Sequence, residues 1–424
     1  MRFDDDSLRT LSSSSLVQLR NCQVLRRHDL VSEDLWFESG VILNPERLFF
    51  DQKRLPDVQV DCCGLVVSPG LIEMQINGAF GFDFTSSWRL SEADYADGVR
   101  KVAKGLLAHG VTSFCPTVIS SKRDVYHSVL PRLKQTPGGQ HGAAVLGAHI
   151  EGPFIHKEKR GAHPVQNIQD SVTISDMEQM YGECLSNNVR LATIAPELQG
   201  GIDAISYLCS LGITVSLGHS RANMAQAEEA VEAAFSRQKM WLFSCARCVT
   251  HMFNAMDSYH HRDPSLIGLL ASERFEHIYY GIVADGIHTH DSALRIAHRA
   301  HPDGLILTTD ALVAMGVGDG MHKFGDLNVQ VEGLRCFVVD QPGLPLAGSV
   351  CSLDYCVRHL VRAARCTPVD ALHCATRHPA EMLHIDDQIG TLDFGSRADL
   401  AFFSHNLHPR ATFIGGKLVW SEGN

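Results

Sequence analysis

Between residues 69 and 311 the chain alternates short apolar runs with longer amphipathic stretches. The runs are LIEMQI (71–76), VTSFCPT (111–117), AAVLGAHIEG (143–152), VRLATIAP (189–196), GITVSLGHS (212–220), CVTHMFNAM (248–256), IYYGIVADG (278–286) and GLILTTDA (304–311). Each is too short for a helix of ordinary length and ends in glycine or polar residues, as strands buried in a parallel sheet do. A helix is expected between the first two. Ser91 is its cap with Asp94 three residues on, Tyr95, Val99, Val102, Ala103, Leu106 and Leu107 form its apolar stripe, and Gly110 ends it. Further helical patterns cover 222–235 and 291–300. Eight buried runs separated by helices predict an α/β protein built on a (β/α)8 barrel of the TIM type.

The flanks read differently. Residues 16–67 hold short strand-like runs punctuated by Gly40, Asn44–Pro45 and Gly64. After the eighth run come a glycine-rich loop, GVGDGMHKFGD, and two helices, the second opening at Thr367 with Pro368 and Asp370 behind it. GTLDFGSRADLAFF and ATFIGGKLVW then return to strand character. The expected organisation is a small β-sandwich domain from residues 1–68 plus 391–424, and a catalytic barrel over 69–390.

Composition narrows the function. The chain has 424 residues, 45% hydrophobic and 20% charged, which excludes disordered and collagen-like classes. Its formal net charge is −11 and it has no basic run, so nucleic acid and anionic membrane are not expected partners. MRFDDDSLRT lacks the apolar core of a secretory signal, and no stretch approaches a membrane span. Thirteen cysteines, an odd and scattered set with Cys62 and Cys63 adjacent, read as reduced thiols of a cytoplasmic protein. A homodimer is expected.

The C-terminal ends of barrel strands carry the chemistry in this architecture. Read in order they present Gln75 and Asn77, Glu151, His219, His251, His288 and Asp310. Two imidazoles and a carboxylate, His219, His251 and Glu151, make the ligand set of a catalytic zinc site whose fourth position is left to water. Asp310 is either a proton carrier or a further ligand. Gln75 and Asn77 are neutral amides and poor zinc ligands, which favours a single metal ion, with Gln75 reaching it through a water. Arg262, in HHRDP, is either a fork for phosphate or a surface arginine.

Taken together, PGLIEMQINGAFG, HIEGPF, KRGAHP, SLGHS, THMFNAM, HHRDP, ADGIHTH, TTDA and LAGS, in that order, resemble the N-acetylglucosamine-6-phosphate deacetylases of the amidohydrolase superfamily, in their animal form. The N-terminal strands and GTLDFGSRADL resemble that superfamily's split β-sandwich. The resemblance implies hydrolysis of the acetamide of a phosphorylated amino sugar by one divalent metal ion per subunit, zinc above all. It implies Glu151, His219 and His251 as ligands, Asp310 as proton donor and acceptor, and His288 as a substrate contact that polarises the carbonyl. Arg262 is implied as the phosphate ligand, with Ala162, Asn254, Ala255, Leu346, Ala347 and Gly348 lining the sugar pocket. One departure stands out: the stretch between His219 and His251 is longer than in the family, with the surplus in SRQKMWLFSCAR (236–247). Its Cys245-x-x-Cys248 spacing has no second cysteine pair and is not read as a metal knuckle. Two alternatives follow: an amidohydrolase acting on another amide or a cyclic imide, or a sugar-phosphate-binding protein without catalysis if that segment disrupts the site.

Overall fold

The computed structural model describes residues 5–12, 14–236, 246–275, 277–324, 327–339, 346 and 348–423. Each of the eight apolar runs forms a strand: β1 (Leu71–Ile76), β2 (Val111–Ile119), β3 (Ala148–Glu151), β4 (Val189–Ile194), β5 (Thr214–Leu217), β6 (Ala246–Val249), β7 (Tyr279–Val283) and β8 (Leu305–Thr308). They pair in parallel in chain order, with the short strand Ala144–Val145 as an outer partner of β2. β8 returns to β1 just beyond its end: Asp310 N donates to Gln75 O at 2.9 Å, and Asn77 N donates to Ala311 O at 2.8 Å. The result is a nearly closed (β/α)8 barrel.

Six strands send a residue into one shared apolar cluster: Ile72, Cys115, Leu191, Cys248, Tyr279 and Ile306, packed with Met382 and Leu383. Because these strands surround it, the cluster fills the barrel's interior and leaves the strand C-termini for polar groups. Around the outside, α1 (Glu92–Leu106) buries Tyr95, Val102, Ala103 and Leu106 as its stripe predicts. Ser91 Oγ accepts from Asp94 N at 3.2 Å, and Gly110 (φ 73°) takes the left-handed turn that ends the segment. α2 (Met224–Ser236), α3 (Asp291–Ala300), α4 (Leu353–Ala364) and α5 (Pro368–His373) follow. α5 opens on a complete capping box between Thr367 and Asp370.

The long 236–247 segment lies almost wholly outside the described residues, including Trp241–Phe243 and Cys245. The chain resumes in register beyond it: Cys248 pairs with Ser216 and Tyr279, and Val249 with Leu217 and Tyr280.

The stretch expected as a glycine-rich loop followed directly by helices is different. It holds a three-stranded antiparallel sheet, Gly320–Phe324, Leu327–Glu332 and Arg335–Val338. LNVQVE alternates with period two, and this side of the alternation, Val329 and Val331, packs with Cys336 and Val338 against Leu312 and Val313. The glycines of the loop masked that alternation.

Both ends of the chain enter one six-stranded sheet, in spatial order Lys417–Ser421, Pro409–Ile414, Leu400–Phe403, Val66–Pro69, Gln23–Leu25 and Leu30–Ser32. It shares a core with a four-stranded sheet built from residues 17–61. Phe402 and Phe413, both buried, sit there with ring centroids 5.0 Å apart. We expect Phe402→Ala to cost about 3–5 kcal/mol of stability through the cavity it opens. Chemical denaturation monitored by circular dichroism checks this; a loss under about 1 kcal/mol would mean the sheets repack freely.

Candidate active site

Strand ends deliver the polar residues with a common geometry. His219, His251 and Asp310 each stand two residues beyond a strand, and each has a positive φ (50°, 27° and 48°). Such backbone is costly for a non-glycine residue and persists only where the surroundings impose it. Gly218 shows the crowding: a Cβ there would lie 2.6 Å from Thr250 Cβ.

Three donor atoms converge. Glu151 Oε1 is 3.1 Å from His219 Nε2 and 3.2 Å from His251 Nε2, and the two imidazole nitrogens are 2.9 Å apart. Ligands on a tetrahedral zinc ion stand about 3.3 Å apart, given bonds of about 2.0–2.1 Å. The cluster therefore fits a small divalent cation with shifts of a few tenths of an ångström. Tautomer chemistry agrees. His219 Nδ1 donates to Lys159 O at 2.7 Å, which leaves Nε2 as a bare lone pair aimed at the cluster. The His219 lone pair, the His251 ring nitrogen and a carboxylate packed this closely favour a positive charge among them. Burial opposes ionisation of Glu151, yet the contacts from His219 and His251 outweigh it and hold its carboxyl well below the usual range.

The second carboxylate is Asp310. Its Oδ1 accepts from Asn77 Nδ2 at 2.8 Å and from Gln75 Nε2 at 3.3 Å, while the same Gln75 amide donates to Glu151 Oε1 at 2.9 Å. Gln75 thus ties the two carboxylates together directly. Burial, then the Glu151 charge, pushes the Asp310 carboxyl up to about 6, close to the value that suits proton transfer at neutral pH. His288 is anchored by Asp285, whose Oδ2 accepts from Nδ1 at 2.6 Å. Burial works against the charged ring, but Asp285 outweighs it and raises the His288 pKa.

These groups face one cavity of about 480 Å³. Its wall includes Glu151, His219, His251, His288 and Asp310. Ala162, Asn254 and Ala255 line it, as do Leu346 and Gly348, while Ala347 lies outside the described residues. Gln75 is buried behind the wall. Arg262 is not among the lining residues. It is exposed, with Nη1 3.3 Å from His261 Nε2. The arginine that does line the cavity is Arg160.

Three residues were not picked out from sequence. His163 lines the cavity with Nε2 3.8 Å from Glu151 Oε2 and Nδ1 2.8 Å from Ser120 Oγ; burial pushes its pKa down to about 3, so the ring is neutral. Its atoms, with those of Glu151 and His219, form a candidate metal-binding group of their own. Both His163 and Arg160 lie in KRGAHP, a motif visible in the sequence but attached to no strand. Glu73, buried in β1, accepts from Thr308 Oγ1 at 2.8 Å and Gln75 N at 3.0 Å. Burial pushes its carboxyl up to about 7.

The amidohydrolase family pattern matches residues 66–419. The chain is 48% identical over 410 residues to the N-acetylglucosamine-6-phosphate deacetylase of Bos taurus, covering 96% of each. It is 46% identical over 421 residues to that of Danio rerio, covering 98% of this chain and all of the other. The crystal structure of the N-acetylglucosamine-6-phosphate deacetylase of Pasteurella multocida is similar in fold, with a TM-score of 0.79 at 24% identity, covering 95% of this chain and 99% of that one.

If the converging trio holds the metal, Glu151→Ala, His219→Ala and His251→Ala will each lose bound divalent metal, with affinity down by more than about a hundredfold. Metal analysis of the purified variants after gel filtration reads this. Wild-type metal content in all three would overturn the ligand assignment.

Proposed function

This chain belongs to the amidohydrolase family, and on that premise we propose that it hydrolyses the acetamide of N-acetyl-D-glucosamine 6-phosphate to glucosamine 6-phosphate and acetate. The observation that carries the reading is that the Glu151–His219–His251 cluster and the Asp310 carboxylate face one cavity. A binding protein without chemistry has no need of a proton carrier beside a cation site. His251 also takes its place in the cluster despite the long segment before it.

Glu151, His219 and His251 hold the metal ion in this proposal. Zinc suits two imidazoles and a carboxylate, and one ion suits a site whose remaining strand-end pair, Gln75 and Asn77, is made of amides. When bound, such an ion polarises a carbonyl and lowers the pKa of water toward neutrality. Asp310, fixed by Asn77 and Gln75, takes a proton from the attacking water and returns it to the departing amine nitrogen. His288, whose protonated form Asp285 favours, donates from Nε2 to the acetyl carbonyl oxygen as negative charge develops there. Ala162, Asn254, Ala255 and the segment Leu346–Ala347–Gly348 hold the sugar, and Arg262 takes the 6-phosphate.

The setting is proposed to be cytoplasmic. Cys63 is an exposed thiol and none of the described cysteines is in a disulfide, which suits a reducing compartment. No helix among the described residues is long and apolar enough to cross a membrane. A homodimer is proposed as the assembly.

Asp310→Asn is expected to retain metal and substrate binding while kcat falls about 10²–10⁴-fold, because an amide accepts no proton at neutral pH. Acetate release measured beside metal content tests it; a rate near wild type removes Asp310 from the role. Arg262→Ala should lower kcat/KM for the phosphorylated sugar by about a hundredfold, the worth of two charge-assisted hydrogen bonds, and leave free N-acetylglucosamine almost unchanged. A parallel fall on both sugars, or no fall at all, would take the phosphate from Arg262; a selective fall in Arg160→Ala would then assign it to the arginine that lines the cavity.

A further inference from the structure

Away from the cavity, three side chains of metal-binding type meet that the proposed chemistry does not use. His298 lies in the last turn of α3, Cys366 in the turn after α4, and Asp370 at the third residue of α5. An imidazole nitrogen, the thiol sulfur and a carboxylate oxygen from these residues all lie within 4.8 Å of one another. Nitrogen and sulfur on a shared zinc ion stand about 3.5 Å apart, so side-chain rotations moving the atoms by about an ångström close the site.

Further observations point to a ligand. His298 Nε2 is buried and has no hydrogen-bond partner, whereas buried polar atoms are normally paired. Asp370 Oδ2 accepts from Thr367 N at 3.0 Å and Thr367 Oγ1 at 2.8 Å. This fixes the carboxylate as outer hydrogen bonds fix metal-binding groups elsewhere. Cys366 is a free, half-buried thiol. Beside it lies Cys374, also free and fully buried; burial, then the Cys366 and Asp370 charges, hold its thiol well above the usual range.

We propose that His298, Cys366 and Asp370 form a second metal site, for a thiol-binding divalent ion of the zinc class, which ties the end of α3 to the α4–α5 turn. Mixed nitrogen, sulfur and oxygen donors select zinc-like ions over magnesium or calcium. Water would complete the coordination of such an ion. The site is structural. The C-terminal end of α3 leads through Pro302–Gly304 into the start of β8, whereas Asp310 stands beyond that strand's other end. The proposal does not depend on which sugar the cavity accepts.

Cobalt(II) tests it, because sulfur ligation gives an intense near-ultraviolet charge-transfer band that nitrogen and oxygen ligands do not. No cysteine among the described residues lines the catalytic cavity, so the band does not arise there, and its loss in Cys366→Ser is what separates this site from the exposed Cys63 thiol. Titrating cobalt(II) into the zinc-loaded holoenzyme should produce the band in wild type. Cys366→Ser should abolish it, and His298→Ala should weaken cobalt binding at least about tenfold. Added zinc should raise the melting temperature of wild type and of neither variant. Retained acetate release shows that each variant is folded; should Cys366→Ser fail to fold, His298→Ala and His298→Gln carry the test. A wild type without the band at millimolar cobalt, or a band of equal strength and affinity in the His298 variants, overturns the proposal.

Discussion

Glu151 Oε1, His219 Nε2 and His251 Nε2 stand within 3.2 Å of one another, and much of the molecule serves to keep them there. Three such atoms in a buried site repel one another unless a positive charge lies between them. Holding them also requires backbone that L-residues avoid at His219, His251 and Asp310, at a cost on the order of 1–3 kcal/mol each. A loop would relax out of that arrangement. A barrel does not, because each residue extends a strand that is hydrogen-bonded on both sides and packed on an apolar interior.

Support continues outward through polar groups. His149 Nε2 meets Thr193 Oγ1 at 2.8 Å, Thr193 meets Thr250 Oγ1 at 2.8 Å, and Thr250 meets Ser216 Oγ at 2.6 Å. This chain crosses β3, β4, β5 and the end of β6 beside the residues that carry the cluster. Glu73 links β1 to the end of β8 in the same way through Thr308 and Thr309. Fully satisfied buried networks of this kind rigidify a core, whereas partly satisfied ones weaken it. The threonines and serines that end the apolar runs are thus joints between strands.

How much of this the sequence discloses depends on whether the signal is local. The eight barrel strands are legible because strands buried on both faces form continuous apolar runs, and Glu151, His219, His251 and Asp310 stand at their ends. The stripe of α1 and the capping box of α5 are legible for the same reason. The sheet at 320–338 hid behind glycines, although its Val329/Val331 alternation was there to be read. His163 and Arg160 escaped because a long loop carries them to the cavity, and nothing in a loop's spacing records where it lands. Arg262 shows the converse: a motif names a residue, but its side chain in the folded chain is exposed, outside the cavity wall.

The six-stranded sheet joins Val66–Pro69 to Leu400–Phe403, and that pairing sets an order of events during synthesis. The early strand is fully buried in the finished protein, yet its partner is translated more than three hundred residues later. At about 5–20 residues per second the ribosome needs roughly 20–60 s to deliver it. Through that interval the barrel can grow strand by strand, while the first sixty or so residues wait with an apolar edge exposed. The edge of Val66–Pro69 that pairs with Leu400–Phe403 is therefore covered only after those late residues have been made.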